Sequence, residues 1–287
     1  MTKVIAITNQ KGGVGKTTTS INLAACLAVA ESKTLLIDLD PQGNASVGLG
    51  LEKESYSEAN VYHALIGEES MDSCIYKTEL DELDVCPSDN NLIGAEIELV
   101  GAFAREQKLK TAIAAVEDKY DYVIIDCPPS LGLLTVNALN ASQEYIIPMQ
   151  TEYFAMEGLT QLLNTVRLIK ASLNPKLEML GILLTMYDAR NNLSKQVSTE
   201  IKKHFGDDVF EVVIPRNVKL SESPSFGKPI ILYDINSRGS TAYFELAREL
   251  LAREREERGL PLEPEETIKE QRIESLIPKF DDFETKH

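Results

Sequence analysis

Residues 3–30 read KVIAITNQKGGVGKTTTSINLAACLAVA, and their three successive parts decide the fold. Lys3–Thr8 is a short β-branched run of the kind that forms a buried strand. Glycines 12, 13 and 15 then make a turn, and from Thr18 to Ala30 apolar residues at 21, 24, 25 and 28 mark one face of a helix. Strand, glycine-rich turn and helix together are the setting a phosphate-binding loop requires. Within it, Lys11-Gly12-Gly13-Val14-Gly15-Lys16-Thr17-Thr18 is the loop itself. Its glycines permit backbone angles closed to other residues, so successive N–H groups converge on phosphate oxygens. The helix, beginning near Lys16, lays its positive end on the same anion. Lys16 is suited to the β and γ phosphates of a nucleotide and the Thr17 hydroxyl to Mg²⁺, which makes ATP and Mg²⁺ the expected ligands.

Outward from this segment, Thr34–Asp38 reads as a second buried strand ending in an acid. Leu83–Cys86, Tyr122–Asp126, Tyr145–Pro148, Met179–Thr185 and Val209–Ile214 read as further strands. Helical patterns over 92–118, 154–172, 192–204 and 240–258 separate most of them, while 39–60 reads as loop. Apolar strands alternating with helices predict an α/β fold, a mostly parallel twisted sheet with helices on both faces. The expected division is a nucleotide-binding domain over 1–252 and, over 253–287, a charged helix end and tail with prolines at 261, 264 and 278.

The bulk numbers bound the function classes. No stretch approaches 18 consecutive apolar residues, so a membrane span is not expected. The start carries no signal-peptide pattern. The four cysteines, Cys26, Cys74, Cys86 and Cys127, include no CxxC pair, which argues against a zinc site or disulfide framework and for a reducing cytosol. A net charge of −16 repels nucleic acid on average, yet the charge is unevenly spread. Residues 31–120 hold seven basic and 19 acidic side chains; residues 163–240 hold 11 basic and eight acidic. The later half is mildly basic.

Two strands deliver aspartates to the sheet edge where α/β ligand sites lie. Val123-Ile-Ile-Asp126-Cys-Pro-Pro129 looks like a Walker B strand, with Asp126 holding Mg²⁺ through a water. The generic phosphate loop has glycine at position 10, where this chain has Gln10, and Lys11 directly precedes the glycines. That departure resembles the deviant Walker A pattern KGGxGK[ST]. Leu35-Leu-Ile-Asp38-Leu-Asp40-Pro-Gln-Gly-Asn44 closely resembles the DxDPQGN segment of the ParA/Soj partition ATPases, as do Cys127-Pro-Pro-Ser-Leu-Gly132 and the run from Ile214 to Ile230.

The resemblance covers about residues 2–252 and carries several expectations. It implies that Lys11 reaches the nucleotide of a second subunit when two ATP-bound monomers meet, as a trans-acting arginine finger does elsewhere. It implies that Asp40 orients the attacking water and that Asp38 supports the metal. Pro215 and Asn217 become base contacts. Arg190 and Lys219, with Arg216, become contacts to DNA bound without sequence preference, and Lys195, Lys202 and Lys203 widen that patch. The implied function is chromosome or plasmid partitioning by a cytoplasmic, nucleoid-associated homodimer whose slow hydrolysis a ParB-type centromere-binding partner stimulates. A MinD-like membrane-cycling regulator is the alternative. Against it, Thr267–Phe280 has apolar residues at 268, 273, 276, 277 and 280 but also acids and Pro278, unlike basic membrane-surface helices. Core docking or a partner contact suits that stretch better.

Overall fold

The computed structural model describes residues 2–152, 155–257 and 259. Among them, eight strands form one sheet: β1 (Lys3–Ile7), β2 (Thr34–Asp38), β3 (Tyr76–Lys77), β4 (Leu83–Cys86), β5 (Tyr122–Asp126), β6 (Glu144–Gln150), β7 (Glu178–Tyr187) and β8 (Val209–Pro215). Their order is β3-β4-β2-β5-β1-β6-β7-β8. Every pairing is parallel except β3 with β4. The α/β expectation holds, with one short antiparallel edge strand added.

The sheet is buried on both faces, which is why its strands read as continuous apolar runs. Val4, Ala6, Leu35, Ile37, Val123 and Ile125 point to one face. There they meet helices Leu133–Ala141, Ala155–Ser172 and Asn192–Phe205 through residues such as Leu134, Leu162 and Ile201. Ile5, Ile7, Leu36 and Ile124 point to the other, against helices Lys16–Val29 and Arg238–Glu257. The pleat's period of two sorts neighbouring residues into the two cores.

Two expectations are corrected and one strand is new. The loop-like 39–60 holds a short helix, Asn44–Gly48, and a 3₁₀ turn, Lys53–Tyr56. The two-residue β3 has no sequence signal of its own. The helix expected over 92–118 is broken into Leu92–Glu98 and Lys108–Ala114 with 3₁₀ turns around them. The break has a physical cause. Asn137 donates to the Arg105 carbonyl at 2.9 Å and accepts from the Leu109 N–H at 3.1 Å, and Asn140 donates to the Glu106 carbonyl at 2.6 Å. These amides, from the helix Leu133–Ala141, take the backbone groups a continuous helix would use. Ala104, at φ 51°, makes the turn between the halves.

Where β7 crosses Phe210 the packing leaves no room for a side chain. A Cβ on Gly181 would lie 2.7 Å from the Phe210 ring, which is fully buried. Gly181→Ala is expected to lower stability by about 1–3 kcal/mol through overpacking. Thermal unfolding of the two proteins checks this, and an unchanged midpoint would show that the ring has space the structure does not contain.

Candidate functional site: a phosphate loop over two buried carboxylates

The loop between β1 and the helix Lys16–Val29 is shaped by two left-handed glycines, Gly13 at φ 73° and Gly15 at φ 87°. No side chain caps the helix, so its first N–H groups are left for another acceptor. Three side chains fix the loop from outside. Thr185, on β7, donates to the Val14 carbonyl at 2.8 Å, and Gln150, ending β6, donates to the Gly13 carbonyl at 2.6 Å. Asn9 donates to the Pro148 carbonyl at 2.8 Å and accepts from the Lys11 N–H at 3.0 Å. With carbonyls turned outward and held, the N–H groups are left to line the inside.

The two lysines of the loop go separate ways. Lys16 is 6% exposed, and its Nζ donates to the Lys11 carbonyl at 3.2 Å. Burial lowers its pKa, and the charge of Asp126 opposes that shift. The Lys11 Nζ points away, to the Glu152 carboxylate at 2.6 Å, with its side chain 40% exposed. Gln10, in the place of the generic glycine, donates to Gln161 at 2.8 Å on the helix Ala155–Ser172.

Below the loop, the register of β2 and β5 puts Asp38 beside Asp126. Both are fully buried. Asp126 accepts from Ser20 at 2.8 Å and has the Thr17 hydroxyl close by, while its second oxygen, Oδ2, is buried with no hydrogen bond. Burial first, and the neighbouring Asp38 second, push the Asp126 pKa well above the carboxylate range. Asp38 is also raised by burial, although the Ser46 hydroxyl and N–H (2.7 and 2.8 Å) and the Asp40 N–H (3.2 Å) bind it. Asp40 accepts from the Gln42 N–H at 3.0 Å and so shapes the turn that follows it.

This arrangement fits a magnesium nucleotide. An orphaned carboxylate oxygen beside a threonine hydroxyl and a buried lysine lacks a cation and an anion. Among the described residues no group of three or more His, Cys, Asp and Glu side chains can hold a metal alone. Mg²⁺ keeps waters and phosphate oxygens in its shell, so a hydroxyl and one carboxylate are enough protein to place it.

Of the other expected residues, Pro215 ends β8, and the Asn217 side chain caps the helix Val218–Glu222 by accepting from the Lys219 N–H at 2.8 Å. Arg190 binds Asp188 through two nitrogens at 3.0 and 3.1 Å. Arg216 lies near the same carboxylate, since its N–H bonds the Tyr187 carbonyl at 3.1 Å. Lys219 pairs with Glu222 at 3.1 Å and Lys202 with Glu211 at 3.2 Å. The structure therefore brings Arg190 and Arg216 together and gives four of the proposed cations acidic neighbours.

Comparison with known proteins places this geometry. The family model described as an AAA domain matches residues 2–179. The sporulation initiation inhibitor protein Soj of Bacillus subtilis is 58% identical over 252 residues, which is 88% of this chain and 99% of that one. The chain belongs to the ParA/Soj family of partitioning ATPases. Two solved structures share its fold. Cobyrinic acid a,c-diamide synthase of Mycobacterium smegmatis, with bound ADP and magnesium, has a TM-score of 0.79 at 35% identity, covering 92% of this chain and 100% of that one. A plasmid partition protein assigned in Borrelia burgdorferi, bound to AMPPNP, has a TM-score of 0.75 at 29% identity, covering 88% and 100%.

For a ParA/Soj member, the motifs located the loop and both strand ends but not their supports. Ser20, Ser46, Gln150, Glu152 and Thr185 carry no motif. Gln150 and Thr185 sit at the same C-terminal sheet edge as the aspartates, the one signal that points to them. Ser46 is the most demanding of the five. Its hydroxyl donates to Asp38 and accepts the Ser88 N–H at 3.0 Å, all buried. Ser46→Ala is expected to destabilise the fold by about 1–3 kcal/mol, because two buried groups lose their partner. Chemical denaturation reads this directly, and a loss under a few tenths would mean the pair is satisfied otherwise.

Proposed function

We propose that this chain is a chromosome- or plasmid-partitioning switch that ATP drives into a two-fold sandwich. The observation that supports this most is the division of labour in the loop. Lys16 is buried against its own carboxylates, whereas Lys11 reaches outward, partly exposed, with only an ion pair to leave. An exposed ion pair contributes little, about 0–1 kcal/mol, so a phosphate of a second subunit's nucleotide can replace Glu152 as the partner. Lys16, Thr17 and the loop N–H groups would hold the chain's own ATP, with Gly12, Gly13, Val14, Gly15 and Thr18 shaping the cradle. Thr17 and, through a water, Asp126 would hold Mg²⁺, which supplies charge neutralisation at the β and γ phosphates. Asp40, just past the end of β2, would orient the attacking water, and Asp38, which accepts from the Asp40 N–H, would support the metal and keep that turn in place. Pro215 and Asn217 would meet the base.

The dimer would bind DNA without sequence preference through Arg190, Lys219 and Arg216. A ParB-type centromere-binding partner would stimulate hydrolysis and release it. The family membership supports this cycle, and so does the local excess of basic over acidic side chains in residues 163–240 of an otherwise acidic chain. Among the described residues no helix is long and apolar enough to cross a membrane.

Asp40→Ala is expected to lower the turnover rate by roughly 100-fold or more, the contribution typical of a general base, while ATP-dependent dimerisation persists. Equal turnover in the two proteins would remove Asp40 from the hydrolytic role. Lys11→Ala is expected to bind ATP yet stay monomeric in analytical ultracentrifugation; a dimer of that variant with ATP would sink the trans reading of Lys11.

The switch itself is tested by titrating DNA against the chain with ATP, with ADP and without nucleotide, across salt concentrations. Binding only with ATP, weakening steeply with salt, is expected. Equal binding in all three states overturns the switch, and ATP-dependent pelleting with lipid vesicles would favour the membrane-cycling reading instead.

A further inference from the structure

On the sheet face opposite the helix Arg238–Glu257, a groove of about 510 Å³ runs between helices Leu133–Ala141 and Ala155–Ser172. Leu131, Leu133, Val136 and Leu173 line it, and Glu96 and Glu106 edge it. Its rim exposes large apolar side chains to water: Leu168 is 70% exposed and Val100 62%. Large side chains gathered in this way mark a surface built to be covered.

The chain carries a segment suited to cover it. Over 267–280, Ile273, Leu276 and Ile277 recur at helical spacing, Pro278 ends the pattern, and Phe280 follows. Lys269, Arg272 and Lys279 against Glu270 and Glu274 give this stretch a slight positive charge in a chain of net −16, opposite in sign to Glu96 on the groove's edge, where Glu106 is already paired with Arg105 at 2.9 Å. It is also an addition. The Bacillus subtilis relative is matched over 99% of its length by 252 residues of this chain, leaving the remainder without a counterpart there. The resemblance read from the sequence stops at about residue 252.

The reach is short enough. The last described turn of Arg238–Glu257 is held at the N-terminal edge of the sheet, by Tyr122 to Glu254 and by Arg253 to the Leu180 carbonyl at 3.0 Å. The groove's Leu173 end lies at the same edge, where Asn174 donates to the Ser142 carbonyl at 2.7 Å just ahead of β6. Two layers of about 10 Å separate helices on opposite faces, roughly 20 Å in all. Nine residues, 258–266, span up to about 30 Å when extended. A linker of that length passes round the edge.

We propose that residues 267–280 dock in this groove of their own chain. The docked segment touches the nucleotide site through one loop. At the groove's upper end Gly132 is packed so closely on Glu96 that a Cβ there would lie 2.4 Å from the carboxylate oxygen. Gly132 closes the Asp126–Gly132 segment, so the tail would brace the strand end that carries Asp126.

Amide hydrogen exchange of the full chain, without nucleotide or partner, tests this. Amides of 267–280 should exchange at least about ten-fold slower than in unstructured peptide. Leu168→Asp, on an exposed site that leaves the core untouched, should abolish that protection. Leu276→Asp should speed exchange in 131–136 and 165–173. Tail amides at unstructured rates, or protection surviving both substitutions, overturn the proposal. A photo-crosslinker at Phe280 in a mixture of heavy- and light-isotope chains separates the occupants. Groove crosslinks within one label support docking in cis. Crosslinks only between labels assign the groove to a second copy, and protection that appears only with an added partner assigns it to that partner; either result overturns it.

Discussion

Two carboxylates that cannot both be comfortably charged sit side by side at the centre of this protein. Asp38 and Asp126 are register partners on adjacent parallel strands, fully buried, and burial pushes both toward the neutral form. Water would ordinarily solvate such a pair; here Ser20, Ser46 and two backbone N–H groups do part of that work. One oxygen of Asp126 is still left over. The remaining deficit is of positive charge, and Lys16 supplies only one. A site held in this condition is tuned to accept a divalent cation together with its phosphate anion, since each alone would leave an imbalance.

The sheet exists to keep that imbalance in place. Parallel strands bring their C-terminal ends to one edge, and helices on both faces keep water from the strands. Four of those ends act on the site: β2 and β5 deliver the acids, while β6 and β7 deliver Gln150 and Thr185 to hold loop carbonyls. The loop carbonyls are thus gripped from the β6–β7 side of β1, while the acids stand on the β5–β2 side. Its conformation is set by neighbours far along the chain as much as by its own glycines.

That division explains what could be read in advance. Strands β2 and β5 were legible to the residue because each is a buried apolar run that stops abruptly at an aspartate, and β4 because Pro87 ends it. The phosphate loop was legible because its chemistry needs glycine and lysine at fixed spacing. The helix expected over 92–118 failed for the opposite reason. Asn137 and Asn140, which break it, lie some thirty residues away and look like ordinary polar positions on a helix. Glu152 was invisible likewise: its meaning comes from Lys11, 141 positions earlier in the chain. Supports drawn from distant strands have no local pattern, so a sequence reading names the groups that do chemistry before those that place them.

Lys11 shows how a single displaced residue changes a site's logic. A generic phosphate loop has glycine at position 10 and no cation before its turn. Here the side chain of Gln10 is bound to the helix Ala155–Ser172, which anchors the loop's approach and leaves Lys11 at its outer lip. A cation there cannot serve the chain's own buried carboxylates, because Lys16 already occupies that ground and even hydrogen-bonds the Lys11 backbone. Its positive charge is therefore available to whatever meets the face of the molecule. The ion pair with Glu152 is short but open to solvent, so an anion with more charge and less freedom displaces it readily. A loop with one lysine buried inside and one cation offered outside carries its charge where the proposed two-fold association would use it.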